Sequence, residues 1–147
     1  MDAGVLTKEQ VGLDVEAADW RSAVQALGNV MEGAGAVSEA YTKGMIVAIE
    51  AKGPYVVVGP GVAMPHASPD HAKRVAIGVV RLKTPVAFGN PEYDPVDLLF
   101  SLCSPDFLSH ISMLVGLSQL MANQPVLNEI RAAADAAAVV AIMERNM

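Results

Sequence analysis

The stretch RVAIGVVRL, residues Arg74–Leu82, decides the fold class. It is a nearly continuous run of apolar, mostly β-branched residues, which is typical of a strand covered on both faces. VDLLFSLC, Val96–Cys103, has the same character. YVVV, Tyr55–Val58, predicts a third and shorter strand, and GVAM, Gly61–Met64, predicts its extended continuation. Strands that are buried on both faces require helices on both sides of the sheet.

Amphipathic segments surround these strands. Trp20, Val24, Leu27 and Met31 recur at a spacing of three to four residues, which predicts a helix that ends at Gly33–Gly35. Four further helices are predicted by the same pattern and by their start signals: 39–52, 107–122, a short one beginning at 125–128, and a last one through residue 145. The predicted N-caps are Asp19, Ser38, Ser104 and Asp135.

Helices before, between and after buried strands predict a three-layer α/β sandwich. The length of 147 residues suits one domain, residues 1–147. The strand order does not follow from the sequence, although the segments 56–64 and 75–82 could pair as neighbours across a short loop. The side chains expected in the core are Ile46, Ile77, Val79, Leu99 and Leu114.

The composition excludes several classes of protein. Sixteen acidic and ten basic residues give a formal charge of −6, and Lys73-Arg74 is the longest basic run, so nucleic acid is not an expected partner. Cys103 is the only cysteine, which excludes an internal disulfide and a zinc site built on cysteine pairs. No apolar run reaches the ~18–20 residues that a membrane span needs, so we expect a cytoplasmic protein without membrane insertion.

A histidine stands where the short strand ends. Pro65 has a fixed φ and biases Met64 toward an extended conformation, so His66 follows a stiff lead-in. Ala67 and Ser68 are small and leave room for another molecule. Loops at strand ends are where ligands and chemistry collect in α/β sheets, and neutral imidazole is a nitrogen nucleophile. Local chemistry leaves two readings of His66: a nucleophile or acid–base group, and a loop histidine bonded to a carbonyl.

The other two histidines differ in the functional role that their sequence context predicts. His110 lies one turn into the helix that Ser104-Pro105-Asp106 opens; by itself it would be a half-buried core histidine. A helix that follows a buried strand begins at the sheet edge, however, so His110 and His66 could meet near free helix N–H groups and form a phosphate site. His71 is expected in a solvated loop without a functional role.

Other chemistries lack their motifs. The three histidines lie on separate segments without the spacing of a metalloprotease helix, and we expect no metal site. There is no phosphate-binding G-x-x-x-x-G-K-[ST] loop and no G-x-S-x-G, so neither ATP nor another cofactor is expected. A metal-dependent hydrolase on an α/β scaffold is a weakly supported alternative.

Several segments together resemble a known family. GPGVAMPHASPD, residues 59–70, resembles the phosphorylation-site segment of the mannitol/fructose-type enzyme IIA domains of the bacterial phosphoenolpyruvate-dependent sugar phosphotransferase system. AIEAKGPYVVVGPG (48–61), DPVDLLFSL (94–102) and the histidine that follows in a helix resemble the ascorbate-type branch in particular. The likeness extends from Trp20 to Met143.

The resemblance implies a fold, a reaction and partners. The fold is a three-layer α/β/α sandwich with a mixed sheet flanked by helices. His66 matches the histidine that accepts a phosphoryl group from phospho-HPr and passes it to a cysteine of the cognate IIB protein, with the membrane permease IIC as an indirect partner. His110 matches a second histidine that holds the phosphoryl group. Ascorbate or another sugar would be transported; a regulatory protein of the same fold, which signals through phosphorylation-dependent binding, is the alternative.

The chain departs from the family at its cations. Mannitol-type members carry an arginine in the helix before the site, where this chain has only Lys52. Ascorbate-type members often carry a basic residue two positions after the active histidine, where this chain has Ser68. Lys73 and Arg74 are the candidates to replace the missing charge.

Overall fold

The computed structural model of the protein describes residues 3–147, without the side chains of Phe107 and Ser109. Met1 and Asp2 of the predicted domain lie outside the described residues. The strands are β1 (Val11–Val15), β2 (Val57–Gly59), β3 (Val62–Ala63), β4 (Ala76–Val86) and β5 (Val96–Cys103). The helices are α1 (Trp20–Gly33), α2 (Glu39–Lys52), α3 (Phe107–Met121), α4 (Gln124–Ala132) and α5 (Ala136–Asn146).

The strands form one mixed sheet in the order β1-β4-β5-β3-β2. β4 and β5 pair antiparallel with an irregularity between Arg81 and Val86, β1 is parallel to β4, and β3 is parallel to β5. β2 pairs antiparallel with β3 at the edge. The pairing considered between segments 56–64 and 75–82 is therefore wrong, because β5 lies between β3 and β4.

Helices cover both faces of the sheet. Strand β5 shows this directly: Leu99 and Cys103 belong to the core shared with α1 and α2, whereas Leu98, Phe100 and Leu102 belong to the core shared with α3, α4 and α5. Side chains in a strand point alternately to opposite faces, so a strand between two helical layers is apolar throughout. The predicted three-layer sandwich with a mixed sheet is confirmed.

The predicted core is correct at its centre and wrong at two helical positions. Ile77, Val79 and Leu99 are fully buried. Ile46 and Leu114 are only half-buried, because they lie at the rims of the α2 and α3 interfaces with the sheet and pack against the cores from outside.

Three strand assignments change. β1 was not predicted; its pairing with β4 is irregular between Gly12 and Val15, and Asp14 has a φ of +52°. β4 begins two residues later than predicted and continues through Val86, beyond the predicted end at Leu82. Tyr55 lies in a turn before β2, because the chain reverses at Gly53 (φ +77°) and Pro54.

The helix caps were partly predicted. Asp19 and Asp135 accept the N–H groups of Ser22 and Ala138, as expected of N-caps. Ser38 occupies the cap position of α2 without a side-chain cap bond. The cap predicted for α3 is wrong: Asp106 is the N-cap and accepts the N–H of Leu108, while the Ser104 hydroxyl donates to the Asp106 carbonyl oxygen at 2.7 Å.

No helix between residues 3 and 147 is long and apolar enough to cross a membrane.

Candidate functional site

A tight hairpin presents the segment that contains His66. Gly61 turns the chain between β2 and β3 with a φ of +73°, a conformation that favours glycine. A side chain there would meet the guanidinium of Arg131, which pairs with Asp97 at 2.9 Å. The Met64 N–H bonds to the Val56 carbonyl oxygen at 2.8 Å, so the hairpin is held up to two residues before His66.

The imidazole of His66 is oriented by its own backbone. Nδ1 lies 3.0 Å from the carbonyl oxygen of Met64. A carbonyl oxygen only accepts hydrogen bonds, so Nδ1 carries the proton and, in the neutral ring, Nε2 keeps its lone pair. His66 is half-buried. The geometry is compatible with both readings of the sequence: the ring is bonded to a carbonyl through one nitrogen, and the other nitrogen is unprotonated in the neutral ring. A nucleophilic role for that nitrogen stays a prediction.

Aromatic and cationic groups lie beside this ring. Tyr55 and His66 have ring centroids 5.8 Å apart with an interplanar angle of 85°, an edge-to-face contact. The Lys52 ammonium lies 5.4 Å from the centroid of the Tyr55 ring. Burial raises the pKa of Tyr55 above its usual value, so the phenol is neutral at pH 7.

A buried tyrosine supports the loop from below. The Tyr41 hydroxyl lies 3.1 Å from both the Ser101 hydroxyl and the Leu102 carbonyl oxygen of β5. Burial raises the pKa of Tyr41 to about 12, opposed by hydrogen bonds from Ser101 and from the backbone of Ala67. Ala67 also packs closely on α2, because a methyl group at Gly44 would lie 3.1 Å from its Cβ. The residue after His66 is thus fixed to α2.

The segment that follows Ala67 is held in place by hydrogen bonds. The Ser68 hydroxyl accepts the N–H of Asp70 and caps a 3-10 turn, Pro69–His71. The Ser38 N–H donates to the His71 carbonyl oxygen at 3.0 Å, and His71 is half-buried. The prediction of a solvated loop at His71 is therefore wrong as far as the backbone is concerned, because the backbone of His71 is hydrogen-bonded to the start of α2.

His110 reaches the same edge of the sheet by a different route. β3 and β5 are parallel, with Ala63 beside Leu99, so both strands run toward the same edge. His66 follows β3 there, and α3 starts there after β5. The His110 N–H donates to the Asp106 carbonyl oxygen at 3.0 Å within the first turn of α3, and the residue is half-buried. The topology brings the two segments together; contact between the two rings stays a prediction.

One of the two candidate cations is committed elsewhere. Arg74 donates to the carbonyl oxygens of Gly4 and Ala34 and to the buried side chain of Gln10, at 2.6 to 3.2 Å. These bonds hold the N-terminal segment to the sheet. Lys73 is exposed.

Two further features concern metals and thiols. Within residues 3–147 there is no group of three or more His, Cys, Asp or Glu side chains arranged to hold a metal ion. Cys103 is buried, and burial raises the pKa of its thiol to about 11, which keeps it protonated and unreactive.

Solved structures with the same architecture define the class of protein. The solution structure of the mannitol-specific cryptic phosphotransferase enzyme IIA CmtB from Escherichia coli superposes with a TM-score of 0.84 at 29% identity, covering 96% of each chain. The Escherichia coli complex of enzyme IIAMtl and phosphorylated enzyme IIBMtl matches with a TM-score of 0.80 over 95% of this chain and 97% of that one; at 19% identity it shows the fold alone. The fold is that of an enzyme IIA domain.

Sequence comparison gives the family. The family of the phosphoenolpyruvate-dependent sugar phosphotransferase system EIIA 2 matches residues 4–146, so the chain belongs to it. SgcA of Escherichia coli (strain K12) is 38% identical over 107 residues, 72% of this chain and 75% of that protein. The ascorbate-specific PTS system EIIA component of Shigella boydii is 33% identical over 114 residues, 77% of this chain and 73% of that protein. The resemblance drawn from the sequence is confirmed.

The sequence analysis identifies the histidines but assigns no role to Tyr55, whose ring contacts His66, or to Tyr41, whose hydroxyl bonds to β5. The signal for Tyr41 was its hydroxyl, since a buried tyrosine needs a hydrogen-bond partner.

Proposed function

We propose that the protein is a phosphocarrier of the sugar phosphotransferase system, which accepts a phosphoryl group on Nε2 of His66 and passes it to a cysteine of a IIB protein. The observation that carries the proposal is the bond between Nδ1 of His66 and the Met64 carbonyl oxygen, 3.0 Å. It selects the tautomer whose free nitrogen is Nε2, at the end of a strand in the segment that resembles the family's phosphorylation site.

The transfer needs no proton movement on the ring. The Nε2 lone pair attacks phosphorus while the bond between phosphorus and HPr breaks, and its electron pair leaves with HPr. The ring then carries a positive charge beside the phosphoryl dianion, and Nδ1–H keeps its bond to the Met64 oxygen, strengthened because the donor is now charged. A IIB thiolate reverses these changes: the N–P bond breaks and its electrons return to Nε2. Positioning and charge stabilisation are the protein's main contributions to such a reaction.

His110 is proposed to hold the phosphoryl group. It stands in the first turn of α3, where the helix dipole favours an anion. A donor placed there would stabilise the charge that is shared between the two nitrogens during transfer.

Protein partners are supported by the surface around the site. Large apolar side chains are exposed on the elements that meet at this edge: Tyr55, Val58, Leu108, Ile111 and Val115. Such patches mark interaction sites on soluble proteins. A IIB protein is the occupant we propose, and the same-fold complex of enzyme IIAMtl with phosphorylated IIBMtl supports it. Phospho-HPr would use the site in turn. The 33% identity to an ascorbate-specific component favours ascorbate or a related sugar as cargo.

Mass measurement after incubation with phosphoenolpyruvate, enzyme I and HPr tests the proposal. We expect one added phosphoryl group on the wild-type protein and on His71→Ala, and none on His66→Ala, because alanine has no nucleophile. Stoichiometric labelling of His66→Ala would overturn the assignment.

A second step separates transport from regulation. Addition of a cognate IIB protein should return the mass of the phosphorylated protein to its starting value. A phosphorylated protein that no IIB protein discharges, from a gene without a neighbouring permease, would favour the regulatory alternative.

A further inference from the structure

Lys52, Tyr55 and His66 form a continuous row of contacts. The α2 helix ends at Lys52, and Gly53 and Pro54 turn the chain so that Tyr55 faces back toward both neighbours. The Tyr55 N–H donates to the Gly53 carbonyl oxygen at 2.9 Å, which fixes this turn. The Tyr55 ring then contacts the imidazole at 5.8 Å and the ammonium at 5.4 Å, measured to its centroid. One aromatic ring therefore contacts both a cation and the imidazole of His66.

We propose that Tyr55 is a positioning residue for the imidazole of His66, and that Lys52, resting on the Tyr55 ring, supplies the positive charge that stabilises the phosphorylated state. The charge role of Lys52 rests on the proposed function; the positioning role of Tyr55 concerns the unphosphorylated ring and does not.

Tyr55 completes the orientation of the ring. The bond from Nδ1 to the Met64 oxygen fixes one atom of the imidazole and leaves the ring free to tilt about that atom. The edge-to-face contact with Tyr55, at 85°, restricts this tilt. A nucleophile held by two independent contacts spends more of its time aligned for attack than one held by a single bond.

Lys52 is suited to a charge that appears only after phosphorylation. The Lys52 ammonium lies 5.4 Å, and the imidazole centre 5.8 Å, from the centroid of the Tyr55 ring. The distance between the ammonium and the imidazole is therefore at most comparable with the Debye length, which is ~10 Å at 0.1 M salt. An exposed contact between a cation and an aromatic face is weak, so a dianion on Nε2 competes for the same ammonium. The flexible side chain of lysine lets the ammonium move toward the phosphoryl oxygens without a change in the backbone.

Other cations near the motif do not fill this role. Arg74 is held by bonds to Gly4, Gln10 and Ala34, and the position two after His66 is Ser68, whose hydroxyl caps a turn. Lys73 is exposed and follows the turn at Pro69–His71. Lys52 is linked to the His66 ring through Tyr55, and this link distinguishes it from Lys73.

The positioning role is tested on the unphosphorylated protein. Nitrogen-15 NMR of His66 reports the fraction of the ring with its proton on Nδ1. We expect Tyr55→Leu to lower that fraction and to slow phosphorylation by phospho-HPr by up to about a hundredfold, the loss that misplaced reacting groups can cause. Tyr55→Phe, which keeps the ring, should match the wild type in both. Unchanged tautomer populations and rates in Tyr55→Leu would overturn this half of the proposal.

The charge role is tested by phosphorus-31 NMR titration of the phosphorylated protein. Loss of a nearby cation favours protonation of the phosphoryl group, so Lys52→Gln should bind that proton about threefold more tightly, within the range of exposed ion pairs. The difference should shrink in high salt. Lys52→Arg should resemble the wild type, as should Lys43→Gln, which removes an exposed lysine of the same helix that pairs with Glu39.

The outcomes separate the two proposals. If the wild-type protein takes up no phosphoryl group from phospho-HPr, the proposed function fails, and the tautomer measurement on Tyr55→Leu still decides the positioning role. If the wild type is labelled and Lys52→Gln titrates like Lys43→Gln, the charge role of Lys52 is wrong.

Discussion

Nδ1 of His66 lies 3.0 Å from the carbonyl oxygen of Met64, two residues earlier in the chain. The side chain is thus bonded to the backbone of its own strand end. Because the bond uses Nδ1, the phosphoryl group is expected on Nε2.

Nitrogen-15 and phosphorus-31 NMR of the phosphorylated protein check this expectation. The coupling between phosphorus and nitrogen should appear at Nε2, and the Nδ1 proton should remain visible and protected from solvent exchange. Coupling to Nδ1 would show that the bond to Met64 breaks before transfer, which would contradict the proposed use of the ring.

His110 should assist transfer without being required for it. We expect His110→Ala to be labelled by phospho-HPr at a rate lower by about a hundred- to a thousandfold, because removal of a charge-stabilising donor costs a rate of this order while the attacking atom remains. Timed labelling followed by mass measurement gives the rate.

A crystal structure tests the geometry behind this role. The rings of His66 and His110 should lie within about 10 Å, the Debye length at 0.1 M salt, for a joint phosphate site. A larger separation would exclude the joint site and leave His66 as a lone nucleophile. Labelling that moves to His110 in the His66→Ala protein would mean that the two roles are exchanged.

The sequence predicts those elements of the structure that are determined by residues close together in the chain. β4 and β5 are apolar on both faces and could be recognised alone, and α1 was predicted from its spacing and its Asp19 cap. β1 was missed because it has five residues, and Asp14, at a φ of +52°, interrupts its regular pairing. Its place in the sheet comes from its partner β4, which is 60 residues or more away in sequence for every paired position.

The candidate site likewise contains residues that could be predicted from their sequence neighbours and residues that depend on long-range packing. His66 was found because Pro65 and the strand end before it are sequence neighbours. Tyr41 reaches the loop from α2 and bonds across the core to Ser101, so its role depends on how a helix packs on a sheet. A periodic pattern predicts which face of a helix is buried, but it does not predict which atom a buried hydroxyl group contacts.

The contact between α1 and α2 provides a test of packing. A methyl group at Gly28 would overlap the side chain of Thr42, and Thr42 is buried. We expect Gly28→Ala to lower the free energy of unfolding by about 1–3 kcal/mol, because the overpacking outweighs the gain in helix propensity.

Gly33 in the same helix is the matched control. It is exposed, and a methyl group there meets nothing within 4 Å. Gly33→Ala should leave the stability unchanged or raise it by up to ~1 kcal/mol. Denaturant titrations of both variants give the comparison, and equal stabilities would mean that α1 and α2 are farther apart than described.

Cys103 and Tyr41 should make the stability fall in alkaline solution. Burial raises the pKa of Cys103 from 9.0 to about 11 and that of Tyr41 from 10.0 to about 12. Well below pH 9 both groups are protonated in the folded and unfolded chains and have no effect on the pH dependence. Above pH 9 the unfolded chain loses the thiol proton first, so the unfolded state gains stability until the folded protein also titrates, near pH 11. At 1.36 kcal/mol per pKa unit, the thiol accounts for a loss of about 2–3 kcal/mol over this interval.

Urea titrations between pH 8 and about pH 11 should show the decline in stability. Cys103→Ala should flatten the first part of the decline, and Tyr41→Phe should affect only the part above pH 10. A Cys103→Ala protein with the same slope as the wild type would show that the thiol is accessible to water in the folded state.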